Sequence, residues 1–161
     1  MSEQNAKKDK PYFPLFVDLS DRDILFAGGG RIAARRIGVL QPFAEHITVV
    51  SPEAEDSVQK LAEEGCITWI CRSFEASDLD GRDIVFAATG DSDLNREIAD
   101  LCRERQITVN ASSDKELCDF YFPGIVRQGE TVIGINASGR DHRKARRVRE
   151  RIQELLTEEE I

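Results

Sequence analysis

Five short runs rich in β-branched and aliphatic residues recur along this chain, at 24–27, 47–50, 67–71, 84–88 and 107–111. Helical patterns fill most of the gaps, at 31–40, 54–64 and 94–105, and 74–80 is long enough only for a single turn or a short helix. This alternation constrains the fold more than any other feature, because strands separated by helices pair in parallel through crossovers. A continuous apolar strand such as IVFAA at 84–88 suits burial on both faces, as in a doubly wound sheet. The spacing predicts a Rossmann-like α/β core over 12–113, preceded by a polar tail at 1–11.

Past residue 113 the pattern breaks. Two extended runs, 120–126 and 131–137, are joined by Arg127-Gln128-Gly129-Glu130, which leaves no room for a crossover helix and reads as a hairpin. The segment 140–156 follows, with Ala145, Val148, Ile152, Leu155 and Leu156 along one stripe, and reads as an amphipathic helix. A hairpin with one helix has too little core to stand alone, so it is expected to pack on the first domain or on a second copy. We expect residues 114–161 to be a dimerisation element.

Where the first strand meets the first helix stands Gly28-Gly29-Gly30, and with Ala33 it reads G-x-G-x-x-A. Glycines at such a turn let backbone approach a pyrophosphate, which then sits on the free N–H groups and positive dipole end of the helix. Many strand-to-helix turns carry glycine for steric reasons alone, so the strand and helix around it give the motif its weight.

Composition narrows the function classes. The chain of 161 residues has room for one full-sized core, no apolar run long enough for a membrane span, and a polar stretch at 1–10 unlike a signal peptide. A soluble, cytoplasmic protein is expected. Cys66, Cys71, Cys102 and Cys118 lie apart with no C-x-x-C, as reduced thiols would, and His46 and His142 form no helical metal pair, so no metal site is expected. A net charge of −8 argues against nucleic acid, yet 140–151 is strongly basic. That stretch reads either as a solvated helix face or as an anion-attracting rim.

Ligands of open α/β sheets bind beyond the carboxyl ends of the strands, and three such ends are polar here. After the second strand come Ser51, Pro52 and Glu53; Ser51 or Glu53 could take ribose hydroxyls, or the segment only starts the next helix. No basic residue stands there for a 2′-phosphate, which favours NAD over NADP. After the fourth strand, Thr89 walls the cleft, and Asp91 or Ser92 caps the helix that follows or faces the ligand. After the fifth come Asn110, Ser113 and Asp114, and Asp114 is the best-placed general base, the alternative being a turn cap.

In order, the segments YFPLFVDL (12–19), GGGRIAARR (28–36), AATGDSDLN (87–95), NASSDKELCDFYFP (110–123) and INASGRDHRKARRVRE (135–150) resemble the precorrin-2 dehydrogenases. These form the N-terminal module of siroheme synthases and also stand alone. The resemblance implies NAD-dependent oxidation of precorrin-2 to sirohydrochlorin by a homodimer. It places cofactor contacts on Gly28, Gly29, Gly30, Arg31 and Ile32 and on the 51–53 segment. It also gives the basic helix a purpose, since the substrate is a polycarboxylate, and makes Asn110, Arg140, His142 and Arg143 substrate candidates. Counted without a gap, the family's catalytic aspartate falls on Ser113, so Asp114, or a water held by Ser113, is the expected proton acceptor. Where the family commonly has Ser-Pro, this chain has Asp141-His142. Some family members also insert iron; without their further helical region, that activity is not expected here. The competing reading is a catalytically idle module that binds NAD or tetrapyrrole, and a third is a dimer that keeps only the fold.

Overall fold

The computed structural model describes residues 12–137 and 142–158. The chain divides into two units, Val17–Phe122 and a second that joins residues 12–16 to the chain from Pro123 onward.

In the first unit, β1 (Asp23–Gly29), β2 (His46–Ala54), β3 (Thr68–Ile70), β4 (Ile84–Ala87) and β5 (Thr108–Ala111) form one parallel sheet in the order β3-β2-β1-β4-β5. Because successive side chains on a strand face opposite ways, β1 feeds two cores. Ile24 and Phe26 pack with Ile47, Val49 and Phe86 beneath α1 (Arg31–Leu40) and α2 (Asp56–Glu63), and Phe26 stacks on Phe86 with ring centroids 4.4 Å apart. Leu25 and Ala27 pack with Val85, Ala87 and Val109 beneath α3 (Ser92–Glu104). Helices on both faces make the centres of the strands mainly apolar, which is the doubly wound arrangement expected. The strand order reverses at β1, so the switch-point crevice opens between the carboxyl ends of β1 and β4.

The β3–β4 connection is a 3-10 turn, Ala76–Leu79, that buries Leu79. It is fastened by Asp78, which accepts from Arg72 Nη2 at 2.6 Å, from Arg72 Nη1 at 2.9 Å and from the Glu75 N–H at 2.8 Å. The Arg72 hydrogen bonds hold the Asp78 carboxyl below its ordinary 3.8, against the opposing effect of burial. A carboxyl depressed on folding adds stability above its unfolded pKa and loses it as pH falls through the folded value. Asp78→Asn is therefore expected to destabilise the protein by about 2 kcal/mol at pH 7. The gap should close as pH drops below 3.8. Thermal melts of both proteins across that range measure it.

The strand and helix expectations hold, with shifted ends. β2 runs on to Ala54 rather than stopping at Val50, because after a register shift Ala54 pairs with Gly29. The helix expected from residue 54 accordingly begins at Asp56. The first unit extends to Phe122 rather than 113, since Phe120 and Phe122 set their rings against Phe86 at 5.8 Å each.

In the second unit, β6 (Gly124–Gln128) and β7 (Thr131–Ile135) form the expected antiparallel hairpin, turned by Gly129 at φ +55° and Glu130. β6 begins at Gly124 rather than at 120, and β7 stops at Ile135 rather than at 137. α4 (His142–Glu158) follows, and Gln128 Nε2 donates to the Leu156 carbonyl at 3.1 Å, tying the hairpin to the helix end.

Candidate functional site: the carboxyl edge of the sheet

The three glycines meet different surroundings. Gly28 has φ +109°, and a Cβ there would lie 2.3 Å from the Ala88 carbonyl oxygen. At Gly29 a Cβ would lie 2.8 Å from Ala54 Cβ and 2.9 Å from the Glu53 carbonyl oxygen. These two let the ends of β1, β4 and β2 close on one another. At Gly30 a Cβ would meet nothing within 4 Å, and its φ of −76° is one any residue adopts. Packing does not explain glycine there.

Gly30 is the N-cap of α1, with no side-chain cap and no acidic residue in the first turn. The first helical bond runs from Ala34 N–H to the Gly30 carbonyl at 2.9 Å, so the N–H groups of Arg31, Ile32 and Ala33 have no acceptor within the helix. Free donors, a positive dipole end and open space over a glycine fit a pyrophosphate. Arg31 and Ile32 are exposed at the same turn.

On the β2 side, Ser51 is buried and its hydroxyl donates to the Glu53 carbonyl at 2.6 Å. That bond shapes the strand end and commits the hydroxyl proton, leaving Ser51 only as an acceptor toward a ribose hydroxyl. Pro52 and Glu53 are exposed, so Glu53 supplies the carboxylate at this edge.

Across the switch point, Asp91 is a helix cap: its carboxylate accepts from the N–H groups of Asp93 at 2.9 Å and Leu94 at 3.2 Å. Thr89 faces inward to Asn95, whose Oδ1 accepts from the Thr89 N–H at 3.0 Å and lies 2.7 Å from its hydroxyl. Ser113 is exposed and accepts from Asn95 Nδ2 at 3.4 Å. Asp114 both caps and pairs: Oδ1 accepts from the Glu116 N–H at 2.9 Å, and Oδ2 lies 3.3 Å from Arg96 Nη2. The carboxylate stays partly exposed.

Asn110 is buried beneath this edge rather than on it. Its Nδ2 donates to the Phe120 carbonyl at 2.7 Å and its Oδ1 accepts from Arg36 Nη1 at 2.7 Å, so both polar atoms of the buried side chain are engaged within the protein. Of the other substrate candidates, Arg140 lies outside the described residues, His142 opens α4, and Arg143 is exposed on it.

Two residues the sequence reading passed over organise this edge, Asn95 and Arg36. Both interrupt an apolar helix stripe: Asn95 lines up with Ile98, Ala99 and Cys102, and Arg36 with Ala33, Ile37 and Leu40. A polar residue at i, i+3, i+4, i+7 spacing among buried positions is the signal that marks them. Arg36 lies 5.7 Å from the Phe86 ring centroid and 5.3 Å from that of Phe122, with Nε buried and unbonded, and burial pulls its pKa below the ordinary value. Through Asn110 it ties α1 to β5 and to the returning 118–120 segment. Arg36→Met should leave Asn110 Oδ1 unpaired and lower unfolding free energy by about 1.5 kcal/mol, measured in urea.

A doubly wound parallel sheet with an uncapped, glycine-opened helix at its switch point defines a dinucleotide-binding domain. The chain belongs to the putative NAD(P)-binding family, whose model matches residues 15–124. It is 39% identical over 145 residues to siroheme synthase 1 of Cronobacter sakazakii, and 37% identical over 145 residues to the siroheme synthase of Pseudoalteromonas atlantica. Each alignment takes in 90% of this chain but 31% of the relative, so the chain spans about a third of those enzymes. Its fold matches that of SirC, a precorrin-2 dehydrogenase, with a TM-score of 0.75 at 21% identity, covering 89% of this chain and 70% of that one.

Proposed function

We propose that this protein is an NAD-dependent precorrin-2 dehydrogenase, yielding sirohydrochlorin in siroheme biosynthesis. The observation that carries the reading is the open cradle at Gly30, at the switch point of a chain aligned over nine-tenths of its length with siroheme synthases. NAD, when bound, supplies the hydride acceptor. The free N–H groups at the start of α1 hold the pyrophosphate, and Glu53 takes ribose hydroxyls. Gly29, packed on Ala54, keeps the Glu53 segment against that turn. With no basic residue at 51–53, NAD is favoured over NADP.

Oxidation of a reduced tetrapyrrole releases a proton with each hydride, and Asp114 is the first carboxylate after the end of β5. To serve as base it exchanges its Arg96 contact for the substrate proton, keeping the Glu116 N–H on its other oxygen. Arg143 and its basic neighbours on α4 attract the substrate carboxylates. Asp114→Ala should lower turnover about a hundredfold and leave NAD affinity within twofold, in an anaerobic assay that follows sirohydrochlorin absorbance. A wild-type protein that makes no sirohydrochlorin from verified precorrin-2 would sink the reading.

One observation favours the second reading, a catalytically idle module that binds NAD or tetrapyrrole: both Asp114 oxygens are occupied, one by a cap and one by an ion pair. Calorimetry showing binding without turnover would select it. We further propose a cytoplasmic homodimer. Among the described residues no helix is long and apolar enough to cross a membrane, and Phe13, Leu15 and Phe16 are 73–88% exposed, apolar surface of the kind a second copy covers. Light scattering at twice the monomer mass is the expected result.

A further inference from the structure

We infer that Asn95 is a positioning residue that sets Ser113 as a hydrogen-bond donor toward the nicotinamide half of the bound nucleotide. Asn95 is 1% exposed, and all four of its hydrogen-bonding positions are used. Oδ1 accepts from the Thr89 N–H at 3.0 Å and from the Thr89 hydroxyl at 2.7 Å. Nδ2 gives one hydrogen to the Thr89 carbonyl at 3.2 Å and the other to Ser113 Oγ at 3.4 Å. A backbone N–H cannot accept, so the carboxamide has only this orientation.

The direction of the last bond matters most. Ser113 Oγ is the acceptor of Asn95, so the hydroxyl hydrogen of Ser113 is left for a group outside the protein, and the residue is exposed. The same carboxamide fixes Thr89, whose N lies 2.8 Å from where a Cβ on Gly28 would stand. Asn95 thereby joins the β4 end, the β5 end and the glycine turn.

Topology says which part of the ligand this donor meets. In open sheets of this kind the acid after the second strand takes the adenosine ribose, which assigns Glu53 to the adenosine half. Ser113, beyond β5 on the other side of the switch point, then serves the nicotinamide half. The inference rests on nucleotide binding and not on precorrin-2 as substrate.

The test is affinity for NADH and for ADP-ribose, which lacks the nicotinamide ring, read by fluorescence and calorimetry. Ser113→Ala should weaken NADH about tenfold and leave ADP-ribose unchanged. In Asn95→Asp a carboxylate oxygen replaces the amino group; the Ser113 hydroxyl turns inward to it, and NADH weakens by the same factor. The double variant should be no weaker than either single one. The inference is overturned if Ser113→Ala binds NADH like wild type, if the two losses multiply, or if ADP-ribose weakens equally. Should Asn95→Asp not fold, Ser113→Thr, which keeps the hydroxyl, must bind NADH like wild type, and the Asn95 side-chain amide hydrogens of the wild type must exchange slowly by NMR; failure of either overturns it. Wild type that binds neither ligand defeats nucleotide binding itself. Wild type that shows the full pattern but no turnover defeats only the dehydrogenase reading.

Discussion

Gly28→Ala is expected to lower unfolding free energy by about 4 kcal/mol, roughly a thousandfold in the folded-to-unfolded ratio. Two effects add. A φ of +109° is strained for any residue with a Cβ. That Cβ would also sit 2.3 Å from the Ala88 carbonyl oxygen and 2.6 Å from its carbon, which are backbone atoms and cannot rotate away. Relief requires the ends of β1 and β4 to part, and they are pinned by the bond from Ala88 N–H to the Ala27 carbonyl at 2.8 Å. Urea unfolding measures the loss, and a Gly28→Ala protein within about 1 kcal/mol of wild type would contradict this account. Any loss of nucleotide affinity in this variant would follow from the damaged turn and carry no information about direct contact.

The residues that made the fold legible are those whose burial has a simple period. Residues 24–27 and 84–88 read as strands with both faces covered because α1 and α2 lie over one side of the sheet and α3 over the other. Less legible was the end of β2, where Pro52 reads as a stop. Proline removes only its own N–H, and the strand resumes contact with β1 two residues later, at Ala54 opposite Gly29. That pairing depends on the absence of a Cβ at Gly29, a fact about space between strands that no local pattern encodes.

The polar residues of the site divide in a similar way. Thr89, Ser113 and Asp114 were placed at the correct strand ends because the carboxyl edge follows from topology. Which of their atoms remain free does not follow, since for Asp114 and Ser113 a partner 18 residues away takes part. Asp114 meets Arg96, and Ser113 meets Asn95. Asn110 shows the cost of ignoring register: as the neighbour of Phe86 in β5, it shares that residue's inward face and is committed to Arg36 and Phe120. Ser51 differs in that its hydroxyl is committed locally, to the Glu53 carbonyl two residues away.

Gly30 separates binding from folding, which Gly28 cannot do. Gly30→Asp is expected to weaken NAD binding by about a thousandfold, roughly 4 kcal/mol, because a carboxylate would stand where the pyrophosphate lies and like charges brought together cost several kcal/mol. The same substitution should raise stability by about 0.5 kcal/mol. Gly30 has an extended backbone open to any residue, a Cβ there meets nothing, and α1 lacks both an N-cap side chain and an acidic first turn. An aspartate supplies both the cap and a negative charge at the positive end of the helix dipole. Calorimetric titration with NAD and urea unfolding of the same sample would read the two effects, and only opposite signs satisfy the argument. Were binding kept, the free N–H groups of α1 would not be the phosphate site. Were stability lost along with binding, Gly30 would be there for packing after all. A helix left uncapped where a cap would stabilise it is explained when its first turn is held open for an anion.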